Sequence, residues 1–169
     1  MRWACQTREP PNTIALMINC ETVQTSESEV AELLEMMTEY NALEVIPWQR
    51  QSVRPVLERL LRSKDLGVVC RLLEDGSMVG YFVLTWGFDL EWAGRDAFLT
   101  ELFLTQTARG RGLGREAMRW IEATAKEHGA RALHLMVRHE NIPALRLYLG
   151  SGFQEPPRKF LSKSLVEPF

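Results

Sequence analysis

The chain has 169 residues, the length of about one domain. Hydrophobic residues at 46% and charged residues at 25% exclude a disordered or fibrous chain, and 20 Lys+Arg against 22 Asp+Glu exclude a globally basic nucleic-acid binder. Three widely spaced cysteines (Cys5, Cys20, Cys70) without a CxxC exclude a disulfide framework or zinc knuckle, and fit a reducing, cytoplasmic setting. His128, His134 and His139 lack partners at ligand spacing, so no metal is expected. No apolar run approaches the roughly 18 residues of a membrane span.

Residues 1–11, broken by charge and by Pro10-Pro11, read as a loose leader ahead of one domain over 12–169. Thr13 to Cys20 reads as a strand. Ser26-Glu27-Ser28-Glu29 is a capping box, and Val30, Leu33, Leu34, Met37 and Tyr40 follow at helical spacing. A second helix is predicted over Ser52 to Arg62, with Pro55 in its first turn and Val56, Leu60 and Leu61 on one face. Gly67 to Leu73 and Met78 to Trp86 are strands joined at Asp75-Gly76, a strong hairpin signal. A longer loop, Gly87 to Asp96, precedes a strand over Ala97 to Thr105. A glycine-rich stretch then opens a helix with Leu113, Ala117, Trp120, Ile121 and Thr124 on one face. Ala132 to Val137 is a strand, and Asn141 caps a helix carrying Pro143 in its first turn and ending near Gly150. Phe153 to Pro157 and Phe160 to Val166 read as two last strands. The fold class is α/β (α+β): a single-domain, mixed, mostly antiparallel sheet of six to seven strands with helices on both faces.

The sharpest local signal is Arg109-Gly110-Arg111-Gly112-Leu113-Gly114, between a strand and a helix. Alternate glycines let the backbone turn tightly and aim several N–H groups one way, and the following helix adds the positive end of its dipole. With Arg109, Arg111 and Arg115 this makes an anion cradle suited to a pyrophosphate, with a glycine-rich connector bearing a solvated basic face as the alternative. It lacks the Gly-Lys-Ser/Thr of a Walker loop, and it does not open the βαβ unit of a dinucleotide fingerprint.

Arg109-x-x-Gly112-x-Gly114 resembles the Arg/Gln-x-x-Gly-x-Gly/Ala signature of the GNAT superfamily of N-acetyltransferases. Phe98 to Leu104 is similar to that family's central strand, and Asn141-x-x-Ala144-x-x-x-Tyr148-x-x-x-Gly152-Phe153 to its second cofactor segment. The resemblance implies the acyl-CoA N-acyltransferase fold, with acetyl-CoA as co-substrate in a splay between the strands at 98–105 and 132–137. It implies that the backbone of Leu102, Phe103 and Leu104 holds the pantetheine arm as an added strand would. The loop from Arg109 through Gly110, Arg111, Gly112, Leu113 and Gly114 to Arg115 would hold the pyrophosphate, and Asn141 would contact the pantetheine or thioester side. Tyr148 would act as general acid on the leaving thiolate, and an isolated tyrosine packed on a helix face is the plainer alternative.

Transfer to an amine needs a neutral nucleophile, and an alkyl amine with a pKa of about 10.4 is mostly protonated at neutral pH. Strand alternation predicts Leu99, Glu101 and Phe103 on one face, and a carboxylate between two large apolar residues is costly unless paired or functional. Glu101 is therefore the candidate base, acting through water, with a structural ion pair to Arg95 as the alternative. Spermidine/spermine-type members of the family carry an acid where Thr100 stands.

Seven acids and no Lys or Arg lie between Glu21 and Gln49, whereas 106–138 holds seven basic and three acidic residues. That polarity suits an anionic cofactor at one end and a cationic acceptor at the other; a solvated acidic helix face is the alternative. Trp48, Phe88, Asp89 and Glu91 are candidate acceptor contacts, although the aromatic loop holding the last three also suits a homodimer contact. The expected function is transfer of an acetyl group to a primary amine of a small, cationic molecule, by direct attack in a ternary complex. A protein or peptide amine acceptor and a non-enzymatic acyl-CoA-binding module are the competing readings.

Overall fold

The computed structural model describes residues 17–165. Among them five strands form one sheet in chain order: β1 (Asn19–Thr22), β2 (Gly67–Glu74), β3 (Ser77–Asp89), β4 (Gly94–Leu104) and β5 (Leu133–Leu135). The first four are antiparallel neighbours, and β5 joins β4 in parallel. Asp75 and Gly76 turn β2 into β3 with φ of 49° and 78°, the left-handed backbone that a two-residue hairpin needs.

Helices cover both faces. α1 (Glu27–Glu44) and α2 (Arg50–Arg62) lie on one side, where Val30, Leu33, Leu34 and Leu57 pack with Val69, Tyr81, Val83 and Phe103. α3 (Leu113–Glu127) lies on the other, where Leu113, Ala117, Met118 and Ile121 pack with Cys70, Leu72, Phe82 and Leu84. Consecutive residues of β3 thus enter opposite cores, as the two-residue period of a strand requires. Each buried leucine, isoleucine or phenylalanine contributes about 1.5–3 kcal/mol. α4 (Ile142–Gly150) starts at Asn141, whose Oδ1 accepts from the Ala144 amide at 3.2 Å.

Ser26 caps α1, which runs one turn past Tyr40. In α2, Pro55 sits in the second turn, Leu57 takes the buried place expected for Val56, and Val56 is exposed. The expected loop over 87–96 shrinks to a four-residue turn, because β3 and β4 keep pairing to Asp89↔Gly94. The first strand begins at Asn19, and the leader and Thr13–Leu16 lie outside the described residues. The two last strands are not formed over 153–165. Pro156 and Pro157 have no N–H to donate to a ladder with β5, and the Arg158 amide instead bonds the Pro156 carbonyl at 2.7 Å. Val166 lies outside the described residues.

The expected alternation in β4 is overturned at one residue. Val83 pairs with Glu101 and Leu84 with Leu99, so Thr100 is an extra, bulged residue. Leu99 therefore faces the α3 core, while Glu101 and Phe103 face α1. β5 pairs with β4 only through Ala97, Phe98 and Leu99, so the two strands part where the bulge lies.

Candidate active site

A cleft of about 960 Å³ opens where β4 leaves β5. One wall is the end of β4, Leu102 to Leu104; the opposite wall is α4, with Asn141, Ala144, Leu147 and Tyr148. Its floor at one end is the turn into α3, where Gly110, Gly112, Gly114 and Arg115 line it. Gly110 and Gly112 have φ of 74° and 88°, and a Cβ on either would meet no atom within 4 Å. Open space, not crowding, surrounds that backbone. α3 begins without a side-chain cap, so the amides of its first turn have no side-chain acceptor.

Arg109 lines the cleft, donates from Nε to the Leu104 carbonyl at 2.8 Å and covers the Phe103 ring at 5.5 Å. Arg115 is exposed on the first turn of α3. The Arg111 side chain goes elsewhere, to a two-pronged pair with Glu74 at 2.6 and 2.9 Å on the β2–β3 hairpin. Leu113 is fully buried in the α3 core, so its backbone alone belongs to the loop.

The bulge sets the chemistry on the α1 side. Glu101 accepts a 2.6 Å hydrogen bond from the Tyr81 hydroxyl, and no pair with Arg95 forms. Arg95 instead stacks over Trp86 at 5.8 Å. Burial holds the Glu101 carboxyl above the usual carboxylate range, and the Tyr81 bond opposes that rise. Burial first, and the neighbouring Glu101 charge second, push both Tyr81 and Tyr40 far above an ordinary phenol. Tyr40 packs edge-on to Tyr81 with ring centres 6.5 Å apart and donates to the Thr100 carbonyl at 3.5 Å. Tyr40 lines the cleft, Glu101 does not, and the two lie close enough for the carboxylate charge to act on the phenol.

Tyr148 lies on the opposite wall, two turns after Asn141, as the motif spacing predicts. Burial, and then Glu44, push its hydroxyl up to about 12. Glu44 ends α1 and reaches this wall: the Asn141 amide nitrogen is 3.4 Å from its carboxylate, and Arg138 donates to its carbonyl at 3.1 Å. From the sequence, Tyr81 drew no attention, and Tyr40, Glu44 and Arg138 counted only as a helix-face residue and as members of an acidic and a basic run. Glu44 and Asn141 are 97 residues apart, and Tyr81 reads as one more apolar strand position.

The candidate acceptor contacts do not gather at the cleft. Trp48 donates from Nε1 to the Thr38 hydroxyl at 3.1 Å and packs on the α1–α2 core. Phe88, Asp89 and Glu91 sit at the β3–β4 turn, the far end of β4, where Phe88 is exposed and Glu91 pairs with Arg158 at 2.7 and 3.0 Å. The acidic run between Glu21 and Gln49 is largely spent. Glu21 and Glu29 pair with Arg71, Glu35 with Arg50 and Glu27 with Arg54, whereas Glu44 lines the cleft. Among the described residues no helix is long and apolar enough to cross a membrane, and no group of three His, Cys, Asp or Glu side chains is placed to hold a metal ion.

No curated protein matches the sequence. Among solved structures, an integron cassette protein from the mobile metagenome of Cole Harbour Salt Marsh is 28% identical, with a TM-score of 0.77 over 88% of this chain and 91% of that one. A predicted acetyltransferase from Clostridium acetobutylicum, solved with acetyl-CoA, is 17% identical with a TM-score of 0.70 over 88% and 97% of the two chains. An aminoglycoside N-acetyltransferase in complex with CoA is 14% identical with a TM-score of 0.72 over 92% and 99%. These two share the fold. The model of the acetyltransferase (GNAT) family matches residues 33–153, from the first turns of α1 to the residue after Gly152, and so spans the glycine turn, the splayed strands and both walls of the cleft. The chain belongs to the GNAT acetyltransferase family and is an acyltransferase.

Proposed function

We propose that the protein transfers the acetyl group of acetyl-CoA to a primary amine of a small cationic molecule, by direct attack within a ternary complex. The observation that carries this reading is the continuity of the cleft. It runs from an open, left-handed glycine turn, past an unpaired strand edge, to Tyr148 and Glu44. The bound acetyl-CoA and CoA of the two structural neighbours support the same co-substrate.

Acetyl-CoA supplies the activated thioester. The amides from Gly110 to Arg115 hold the pyrophosphate, with Arg109 and Arg115 adding charge. The edge of β4 at Leu102, Phe103 and Leu104, free of β5, pairs with the amide-bearing arm. Asn141, already oriented by capping α4, contacts the arm near the thioester. Glu101 receives the proton shed by the amine, relayed by water past Tyr40. As the amine nitrogen bonds to the acetyl carbon and the carbon–sulfur bond breaks, Tyr148 donates its proton to the departing sulfur. Its raised pKa keeps that proton in place across the physiological range. The exposed Phe88, Leu90 and Trp92 at the far turn support a homodimer contact there, and three widely spaced cysteines without a CxxC suit a reducing, cytoplasmic location.

Purified protein incubated with acetyl-CoA and a panel of small amines should release free thiol in an amine-dependent way. Binding of CoA without turnover of any amine would leave a binding module in place of an enzyme, and turnover confined to peptides would move the acceptor class.

A further inference from the structure

We propose that Glu44 anchors a second, permanently protonated nitrogen of the acceptor, so that the enzyme selects diamines and longer polyamines over monoamines. This rests on the acetyltransferase reading above and names the substrate class for it.

Beside the cleft, and sharing Tyr40, Glu44 and Tyr148 with it, is a small pocket between β4 and β5, walled also by Leu99, Leu102 and Val137. Two charged side chains line it, Glu44 and Arg138. Arg138 is committed: Nη1 donates to the Glu44 carbonyl at 3.1 Å, and Nε lies 3.5 Å from the Glu140 carboxylate. The Glu44 carboxylate has no ion pair among the described residues and meets a neutral amide, Asn141, at a long 3.4 Å. It also sits in the last turn of α1, which carries no basic residue, so the negative end of the helix dipole adds to its charge. Four other acids of the same run are neutralised by arginines, which leaves this one as the anion offered to the pocket. A half-buried carboxylate between two phenol rings is a receptor for an alkyl-ammonium ion.

That ammonium is not the reacting one. A carboxylate paired with the nucleophile would raise its pKa and hold it protonated, which opposes attack. The residue that recognises charge must therefore engage a different nitrogen from the one that loses its proton toward Glu101. Two carboxylates with separate tasks need an acceptor with two nitrogens.

The test compares matched acceptors of equal chain length: 1,3-diaminopropane, 1,4-diaminobutane and 1,5-diaminopentane against propylamine, butylamine and pentylamine. The readout is the ratio of kcat/KM for diamine over monoamine. The wild-type ratio should exceed about 10 for at least one chain length, the least that one charge-assisted hydrogen bond supplies. Glu44→Gln should collapse that ratio toward 1 by raising the diamine KM, and Glu44→Asp should keep part of it. CoA titration of each variant shows that the fold and the cofactor site are intact. A wild-type ratio near 1, or a ratio unchanged in Glu44→Gln because both acceptors lose kcat equally, overturns the proposal while leaving the acetyltransferase reading standing. Failure to acetylate either class while CoA still binds overturns this proposal, whereas the small-amine reading falls only if the wider amine panel also fails.

Discussion

Glu101, buried beside Tyr81, and Tyr148, on the cleft wall, are the proposed base and acid, and each proposed duty has its own pH signature. The Glu101 carboxyl is held above its ordinary 4.5 by burial, so as a base it loses function when protonated. The acid limb of kcat/KM should therefore lie above the usual carboxylate range and vanish from the residual activity of Glu101→Gln. Stability runs the other way. A carboxyl that binds its proton more tightly folded than unfolded contributes stability fully below about pH 4.5, and loses it as the pH climbs through the folded value. Glu101→Gln keeps an acceptor for Tyr81 but removes the buried charge. Its melting temperature should exceed that of the wild type at pH 7–8, by about 2–4 °C per kcal/mol recovered, and the gain should disappear near pH 4. A melting temperature that falls at both pH values would refute the burial argument. Tyr148, protonated until about 12, should give no alkaline limb below pH 11. Tyr148→Phe should lower kcat by about 10²–10⁴-fold with CoA affinity nearly unchanged, as measured by single-turnover kinetics and titration. Both candidates were named from the sequence, one by motif spacing and the other as a lone acid in an apolar strand. Their meeting with Tyr81, Tyr40 and Glu44 was not, because an apolar strand position, a helix-face residue and one acid of a run come together only through tertiary packing.

Elements show the same division between what is local and what is not. The Asp-Gly hairpin, the Ser26 cap of α1, the glycine turn and the Asn141 cap were readable because each is fixed by neighbouring residues, although the Glu29 carboxylate accepts from the Gln24 amide and so leaves the expected capping box half formed. The Thr100 bulge was not, since one inserted residue leaves the apolar pattern of β4 nearly unchanged and reverses which core Glu101 enters. The two final strands failed for a nearby reason: their apolar residues have strand spacing, but Pro156 and Pro157 supply no donors to the β5 edge. The glycine turn allows a controlled test. Gly112 and Gly76 both adopt left-handed backbone, with φ of 88° and 78°, and neither has an atom within 4 Å of a new Cβ. Gly112→Ala and Gly76→Ala should each cost about 1–2 kcal/mol of stability through the same strain. Only Gly112→Ala should also weaken CoA binding, by at least about 10-fold, because the turn that aims the α3 amides is the one disturbed. Equal CoA affinity in the two variants would remove the glycine turn from the cofactor site.

At the scale of the whole molecule, the sheet is held on both faces yet left open along one seam. β4 belongs to both cores, through Leu99 on the α3 side and Phe103 on the α1 side, and it is also the strand whose outer edge β5 abandons after Leu99. A ligand filling that seam would bridge β4, α3 and α4, three elements that otherwise meet mainly through the core. CoA should therefore stabilise the entire fold and not a local segment. At a concentration 100 times its dissociation constant it adds about 2.7 kcal/mol, which for a chain of this length is a rise of about 5–10 °C in a single cooperative melting transition. The proposed site would grip CoA with two different physical means, so the shift should divide by ligand. Arg109 and Arg115 are exposed charges and are screened by salt, whereas the β4 edge is uncharged backbone. Raising the salt from 0.05 to about 0.5 M should shrink the stabilisation by CoA, and leave the smaller stabilisation by pantetheine, which lacks the phosphates, nearly constant. Equal salt sensitivity for the two ligands would mean that the diphosphate is not held at the glycine turn.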